Sequence, residues 1–138
     1  MDQPPPPANP ELPGAGRKVL CIEDEHFIGE LYVRALTRAG YGVKVIIDGE
    51  LGLKEAQTGQ YDIILLDIMI PSMTGIEVLK RLRDPSVSQP VKAKIIITTN
   101  LEQSEEGRQA IEAQADGYVI KAEMTPGQLV DFLNQLQV

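Results

Sequence analysis

The sequence predicts an α/β domain built on a doubly wound, five-stranded parallel sheet, and three observations carry that expectation. From Lys18 onward, short β-branched runs alternate with segments of helical period. The runs are continuously apolar rather than alternating, as in strands covered on both faces. Several helical segments open on a side chain able to cap free backbone amides. A chain of 138 residues can bury one proper core and is too short for two, so a single domain is expected.

Taken in order, residues 1–16 hold Pro4 to Pro7, Pro10, Pro13, Gly14 and Gly16 with almost no apolar side chains. Such a segment cannot offset its ordering entropy and is expected to be a disordered Pro-rich tail ahead of a domain over 17–138. A polyproline II ligand segment is the other reading. Strands are then predicted at 18–22, 43–47, 63–66, 94–99 and 117–120, each near the usual five residues. Helices are predicted at 27–39, 50–58, 75–83, 105–113 and 126–136. Thr125-Pro126-Gly127-Gln128 places a hydroxyl at the N-cap, proline at the first helical position and a Gln that can reach back. Thr74-Gly75-Ile76-Glu77 is read as a second capping box, and Ser104 before Glu105 and Glu106 adds a cap with two charges suited to the positive end of a helix. Leu129, Phe132, Leu133 and Leu136 recur at helical spacing, giving the last helix one apolar stripe. A βα unit repeated about five times implies right-handed crossovers and three layers.

Composition narrows the function. A net charge of −7 gives no general attraction to nucleic-acid phosphates or anionic lipid, so direct nucleic acid binding is not expected. No apolar run approaches the ~20 residues of a membrane span, and the first residues lack a secretory pattern, which predicts a cytoplasmic protein. The single cysteine, Cys21, lies within Val19-Leu20-Cys21-Ile22 and reads as core. The single histidine, His26, reads as a surface residue, leaving little for zinc or Ser-His-Asp chemistry.

In an open parallel sheet, ligands bind outside the carboxyl ends of the strands. The first predicted strand ends in Glu23-Asp24-Glu25, the third in Asp67, the fourth in Thr98-Thr99 and the fifth in Lys121. Clustered carboxylates repel, and a hard divalent cation such as Mg2+ relieves that repulsion. Asp24 and Asp67 are the expected direct ligands, Glu23 acts through a bound water, and Glu25 points outward. Asp67 follows Ile63-Ile64-Leu65-Leu66 and precedes Ile68-Met69-Ile70, where a charge requires a partner. It can also serve as a nucleophile toward phosphorus, with Lys121 and a threonine hydroxyl binding the phosphoryl oxygens. Alone, Lys121 would read as a surface lysine. One of Thr98 and Thr99 reads as an ordinary strand residue.

These fragments resemble the receiver domain of two-component response regulators over about residues 18–136. The opening acidic signature resembles Val19-Leu20-Cys21-Ile22-Glu23-Asp24-Glu25; the phosphoacceptor motif resembles Leu65-Leu66-Asp67-Ile68-Met69-Ile70-Pro71-Ser72-Met73-Thr74-Gly75; and the block before the lysine resembles Gln114-Ala115-Asp116-Gly117-Tyr118-Val119-Ile120-Lys121. The resemblance implies a flavodoxin-like (βα)5 fold with strand order 2-1-3-4-5. It makes Asp67 the phosphoacceptor, Asp24 and the backbone carbonyl of Met69 further metal contacts, Glu23 the outer-shell acid and Lys121 the phosphoryl-binding lysine. Counting back from Lys121 makes Thr99 the switch hydroxyl, and Tyr118 the aromatic that moves inward with it. Mg2+, with Mn2+ as a substitute, is the implied cofactor. A sensor histidine kinase or phosphotransfer protein is the implied donor, with an unidentified protein as downstream target. A monomer or a homodimer through the fourth helix, fifth strand and fifth helix is implied, and the module is not an enzyme beyond self-catalysed phosphotransfer and autodephosphorylation.

Three departures from that pattern involve four positions. Asn100 stands where the family has a small residue, and restricts access to the phosphoryl group. Ala122 replaces a common cis proline, so the loop after Lys121 is expected to be rearranged. Met69 and Leu101 are apolar where the family tunes water access, which predicts slow decay of the phosphorylated state. A haloacid-dehalogenase-like Mg2+-dependent phosphatase would require its nucleophile on the first strand and an acid where Met69 stands. A flavin-binding module would require a phosphate-cradling loop where Glu23-Asp24-Glu25 would repel one. A degenerate receiver acting without phosphorylation is the remaining alternative.

Overall fold

The computed structural model describes residues 11–87, 90–100 and 105–136, with the side chains of 105 and 106 left out. The proline run at 4–7, Leu101 and the Ser104 cap lie outside the described residues. Element order is β1 Lys18–Ile22, α1 His26–Arg38, β2 Gly42–Ile46, α2 Gly49–Ala56, β3 Ile63–Asp67, α3 Gly75–Arg83, β4 Lys94–Thr99, α4 Glu105–Gln114, β5 Gly117–Ile120 and α5 Pro126–Asn134. A short 3-10 turn, Lys121–Glu123, joins β5 to α5.

All strand pairs are parallel and the order is β2-β1-β3-β4-β5. Strand residues alternate between the two faces of the sheet, and both faces are covered. Leu20, Ile22, Ile64, Leu66, Ile95 and Ile97 pack on one face with Leu53 and Ala56 of α2, Val78, Leu79 and Leu82 of α3, and Ile111 of α4. Val19, Cys21, Ile63, Leu65, Ile96 and Val119 pack on the other with Tyr32 and Leu36 of α1 and Leu129, Val130 and Leu133 of α5. This two-sided burial is why the strands read as unbroken apolar runs. No described helix is long and apolar enough to cross a membrane.

The caps follow from local chemistry. Asp48 accepts from the Leu51 N–H at 2.9 Å to start α2. The Thr125/Gln128 box at α5 is complete in both directions, at 2.9 and 3.1 Å. At α3 only half of the expected box forms. Thr74 accepts from the Glu77 N–H, but the Glu77 carboxylate turns down the helix to Arg81 at 3.0 Å. An i,i+4 acid–base pair thus competes successfully for the group that would reach back. Helix α1 ends in a left-handed turn: Gly40 has φ 98°, with Gly40 N–H donating to Thr37 O and Tyr41 N–H to Leu36 O.

Residues 11–16, read from the sequence as the end of the tail, pack against the domain. Residues 11–16 form turns, Gly14 N–H donates to Ala39 O at 2.8 Å, and the buried Gly14 lies flat against the Tyr41 ring, where a Cβ would come within 2.3 Å. Composition suggested no apolar anchor because the anchoring ring is on the body of the domain. The Tyr41 hydroxyl in turn donates to Asn134 Oδ1 at 2.8 Å, tying this corner to α5.

Cys21 is core, as read. Burial, with the nearby Glu23 carboxylate adding to it, pushes its thiol up to about 12. The native protein is therefore expected to resist a maleimide at about pH 8 over times in which the unfolded chain reacts fully. Mass spectrometry after timed quenching checks this, and fast labelling of the native state would contradict it.

Candidate phosphoacceptor and metal site

The site forms because strand register brings four chain segments to one rim. Ile22 pairs with Leu66, so Glu23 leaves β1 where Asp67 ends β3. Asp67 pairs with Thr98, and Thr99 with Ile120, the residue before Lys121. Glu23, Asp67 and Lys121 each lie two residues beyond Cys21, Leu65 and Val119, all on the α1/α5 face. Strand alternation thus directs all three side chains to the same side of the sheet.

There they meet. Lys121 Nζ donates to Asp67 Oδ2 at 2.9 Å and forms an ion pair with Glu23 Oε1. The Glu25 N–H donates to Glu23 Oε2, and the Met69 N–H to Asp67 Oδ1, each at 3.2 Å. Glu23 is 1% exposed and Asp67 4%. Burial raises the Glu23 carboxyl to about 7 against the opposing pull of the Lys121 ammonium. Lys121 is disfavoured as a cation by burial, but hydrogen bonds to both carboxylates outweigh this and raise it to about 12.

Carboxylate oxygens of Glu23, Asp24 and Asp67 lie within 4.8 Å of one another, Asp24 being exposed. Oxygen-only donors of this charge fit a hard divalent cation. Glu25 and His26 are exposed, as read from sequence.

Thr98 and Thr99 are both buried. Register and alternation place Thr98 with Ile96 on the face that carries Asp67, and Thr99, the last residue of β4, with Ile97 on the opposite one. Tyr118 is 39% exposed and Met69 62% exposed beside Asp67. Asn100 is exposed next to Thr99. The loop after Lys121 is the 3-10 turn Lys121–Glu123, closed by Met124 N–H to Lys121 O, and the described chain has no cis peptide bond.

Glycine at position 75 has a steric cause: a Cβ there would lie 2.2 Å from the carbonyl oxygen of Asp67. The Gly75 N–H donates to Ile68 O at 2.9 Å, closing the loop that follows the acid. The structure brings Glu23, Asp67 and Lys121 together, and sequence reasoning missed the contact of Asp48 with this loop. The Asp48-Gly49 step, two residues beyond β2 at the start of α2, was the available signal.

A five-stranded parallel sheet in the order 2-1-3-4-5 with this acid–lysine rim defines a CheY-like signalling module. The sequence model of the response regulator receiver domain matches residues 19–134. The chain belongs to that family, the receiver domains of two-component systems. Among curated relatives, the transcriptional regulatory protein DltR of Streptococcus agalactiae is 38% identical over 104 residues, covering 75% of this chain and 45% of its own length. The chain thus spans less than half of that relative. Among solved structures, the chemotaxis protein CheY4 of Vibrio cholerae matches with a TM-score of 0.74 and 32% identity, covering 89% of this chain and all of that one. The receiver domain of the sensor histidine kinase PA1611 from Pseudomonas aeruginosa PAO1 was solved with a magnesium ion coordinated in its active site cleft. It matches with a TM-score of 0.74 at 23% identity, covering 88% of this chain and 97% of that one, a likeness of fold. Family membership sets aside the phosphatase and flavin-module alternatives.

Proposed function

We propose that Asp67 accepts a phosphoryl group from a phosphohistidine in a Mg2+-dependent reaction, and that the new charge switches a protein-binding surface. The observation that carries this reading is the buried contact of the Lys121 ammonium with the Asp67 carboxylate at 2.9 Å, inside a cluster of three acids.

An Asp67 carboxylate oxygen attacks phosphorus as the bond to the donor imidazole breaks. The electron pair stays on the imidazole nitrogen, which takes up a proton, and an acyl phosphate remains on Asp67. The Met69 N–H holds Asp67 Oδ1, which orients the carboxylate. Lys121, already against Oδ2, is positioned to pair with a phosphoryl oxygen as negative charge gathers there. Asp24, Asp67 and the Met69 carbonyl would hold the cation, with Glu23 acting through water. Bound Mg2+ or Mn2+ supplies charge neutralisation to the transferring group.

Thr99 is the proposed switch hydroxyl and Tyr118, on β5 and partly exposed, the aromatic that follows it; Thr98, register partner of Asp67, is the control position. The donor would be a sensor histidine kinase or phosphotransfer protein. The output would be a change of protein partner, or pairing of two copies through α4, β5 and α5.

The test is intact mass after incubation with Mg2+ and a small acyl-phosphate donor. Wild type should gain one phosphoryl group, lost when Mg2+ is chelated and absent in Asp67→Asn. Labelling that persists in Asp67→Asn would move the site elsewhere. A wild type that stays unlabelled with Mg2+ present would favour a degenerate receiver.

A further inference from the structure

The loop after Asp67 is gripped from the side by a corner of the chain that the chemistry does not use. Asp48, between β2 and α2, directs its two carboxylate oxygens to different elements. Oδ2 accepts from the Leu51 N–H at 2.9 Å, and Oδ1 accepts from the Ser72 hydroxyl. The next residue adds two contacts. Gly49 N–H donates to Pro71 O at 3.0 Å, and its Cα lies so close to Met73 that a Cβ would be 2.0 Å from the Met73 carbonyl oxygen. Ser72 has φ 73°, the described chain's sole non-glycine residue in the left-handed region. A conformation of this kind persists where surrounding contacts impose it. Here the imposing contacts are Asp48 on the side chain and Gly49 on the flanking backbone.

Three residues before Ser72 is Met69, whose N–H holds Asp67 Oδ1. The same loop is closed at its far end by Gly75 N–H to Ile68 O. Fixing 71–73 at one side and 75 at the other leaves the peptide of Met69 little freedom. We infer that Asp48 and Ser72 form a latch that positions the Met69 backbone for cation binding, making both of them positioning residues of the phosphoacceptor site. Neither residue touches Glu23, Asp67 or Lys121 in a described contact, so the latch acts through the loop. The inference rests on the proposed cation site and adds the means by which its backbone donor is held.

The latch predicts an order among variants that a purely structural role would not produce. Ser72→Ala removes the hydroxyl and keeps the unfavourable backbone; Ser72→Gly removes the hydroxyl and relieves the backbone. Asp48→Asn can still cap Leu51 through its oxygen and donate to the Ser72 oxygen through its amide. Mg2+ titration by calorimetry should show Kd raised about three- to tenfold in both Ser72 variants, the loss of one hydrogen bond's worth of preorganisation, and nearly unchanged in Asp48→Asn. Amide hydrogen exchange at Met69 and Gly49, read by NMR without Mg2+, should rise in the Ser72 variants and not in Asp48→Asn. Wild-type affinity and wild-type exchange in both Ser72 variants would overturn the latch while leaving the cation site intact. Recovery of affinity in Ser72→Gly alone would reduce the effect to backbone strain and overturn it too. A wild type that binds no Mg2+ would instead overturn the cation site, and the positioning role with it.

Discussion

Replacing Lys121 by methionine is expected to lower unfolding stability by on the order of 3 kcal/mol at neutral pH without divalent cations. Methionine keeps much of the buried stem while removing the ammonium that compensates Glu23 and Asp67, which are 1% and 4% exposed. Two uncompensated carboxylates would then share one buried rim. The sign of the pH dependence follows. Burial already holds the Glu23 carboxyl above its ordinary 4.5, at about 7, so the native state binds more protons than the unfolded chain between those values. Removing the cation raises it further. The deficit of the variant should therefore be smallest near and below about pH 7 and grow as pH rises above it, where Glu23 of the wild type ionises against Lys121 and that of the variant must ionise without it. Mg2+ should restore part of the loss, because it binds the native acids and not the unfolded chain. Denaturant midpoints at several pH values, with and without Mg2+, check this. A variant as stable as wild type above pH 7 without Mg2+ would contradict the described ion pairs.

Gly75→Ala should damage both fold and chemistry. The added Cβ would sit 2.2 Å from the Asp67 carbonyl oxygen and 2.7 Å from Ile68 Cα, both backbone atoms that cannot swing away. The loop must shift, at about 1–3 kcal/mol of stability. Because that loop begins at the acceptor itself, labelling of Asp67 should slow by roughly tenfold to a hundredfold, the usual consequence of misplacing a reacting group. Thermal melts and timed mass spectra read the two effects separately. Wild-type values in both would show that the loop yields at no cost.

Much of this was legible in the residues because a parallel sheet writes itself plainly. Ile63-Ile64-Leu65-Leu66 is apolar on both faces since α1 and α5 cover one side and α2, α3 and α4 the other. The polar residues that interrupt such runs mark the rim where they stop, and Glu23, Asp67 and Lys121 do so. What stayed illegible depended on contacts between distant segments. The grip of Asp48 on Ser72 joins positions 24 residues apart in a pair of loops with no periodic pattern. The docking of residues 11–16 rests on Tyr41, which a local reading of a proline- and glycine-rich stretch cannot include. The half-formed box at Thr74 shows competition of a third kind. Glu77 had two partners within reach, and propensity alone does not choose between Arg81 and the backbone.

The central claim is that the acid held by Lys121 is the phosphoryl acceptor. Its most direct test is borohydride trapping after treatment with Mg2+ and an acyl-phosphate donor, followed by peptide mass spectrometry. Reduction of an aspartyl phosphate leaves homoserine in its place, so the account predicts homoserine at position 67 and nowhere else. Homoserine at position 24, or a reduction-resistant phosphate on Thr98 or Thr99, would contradict it.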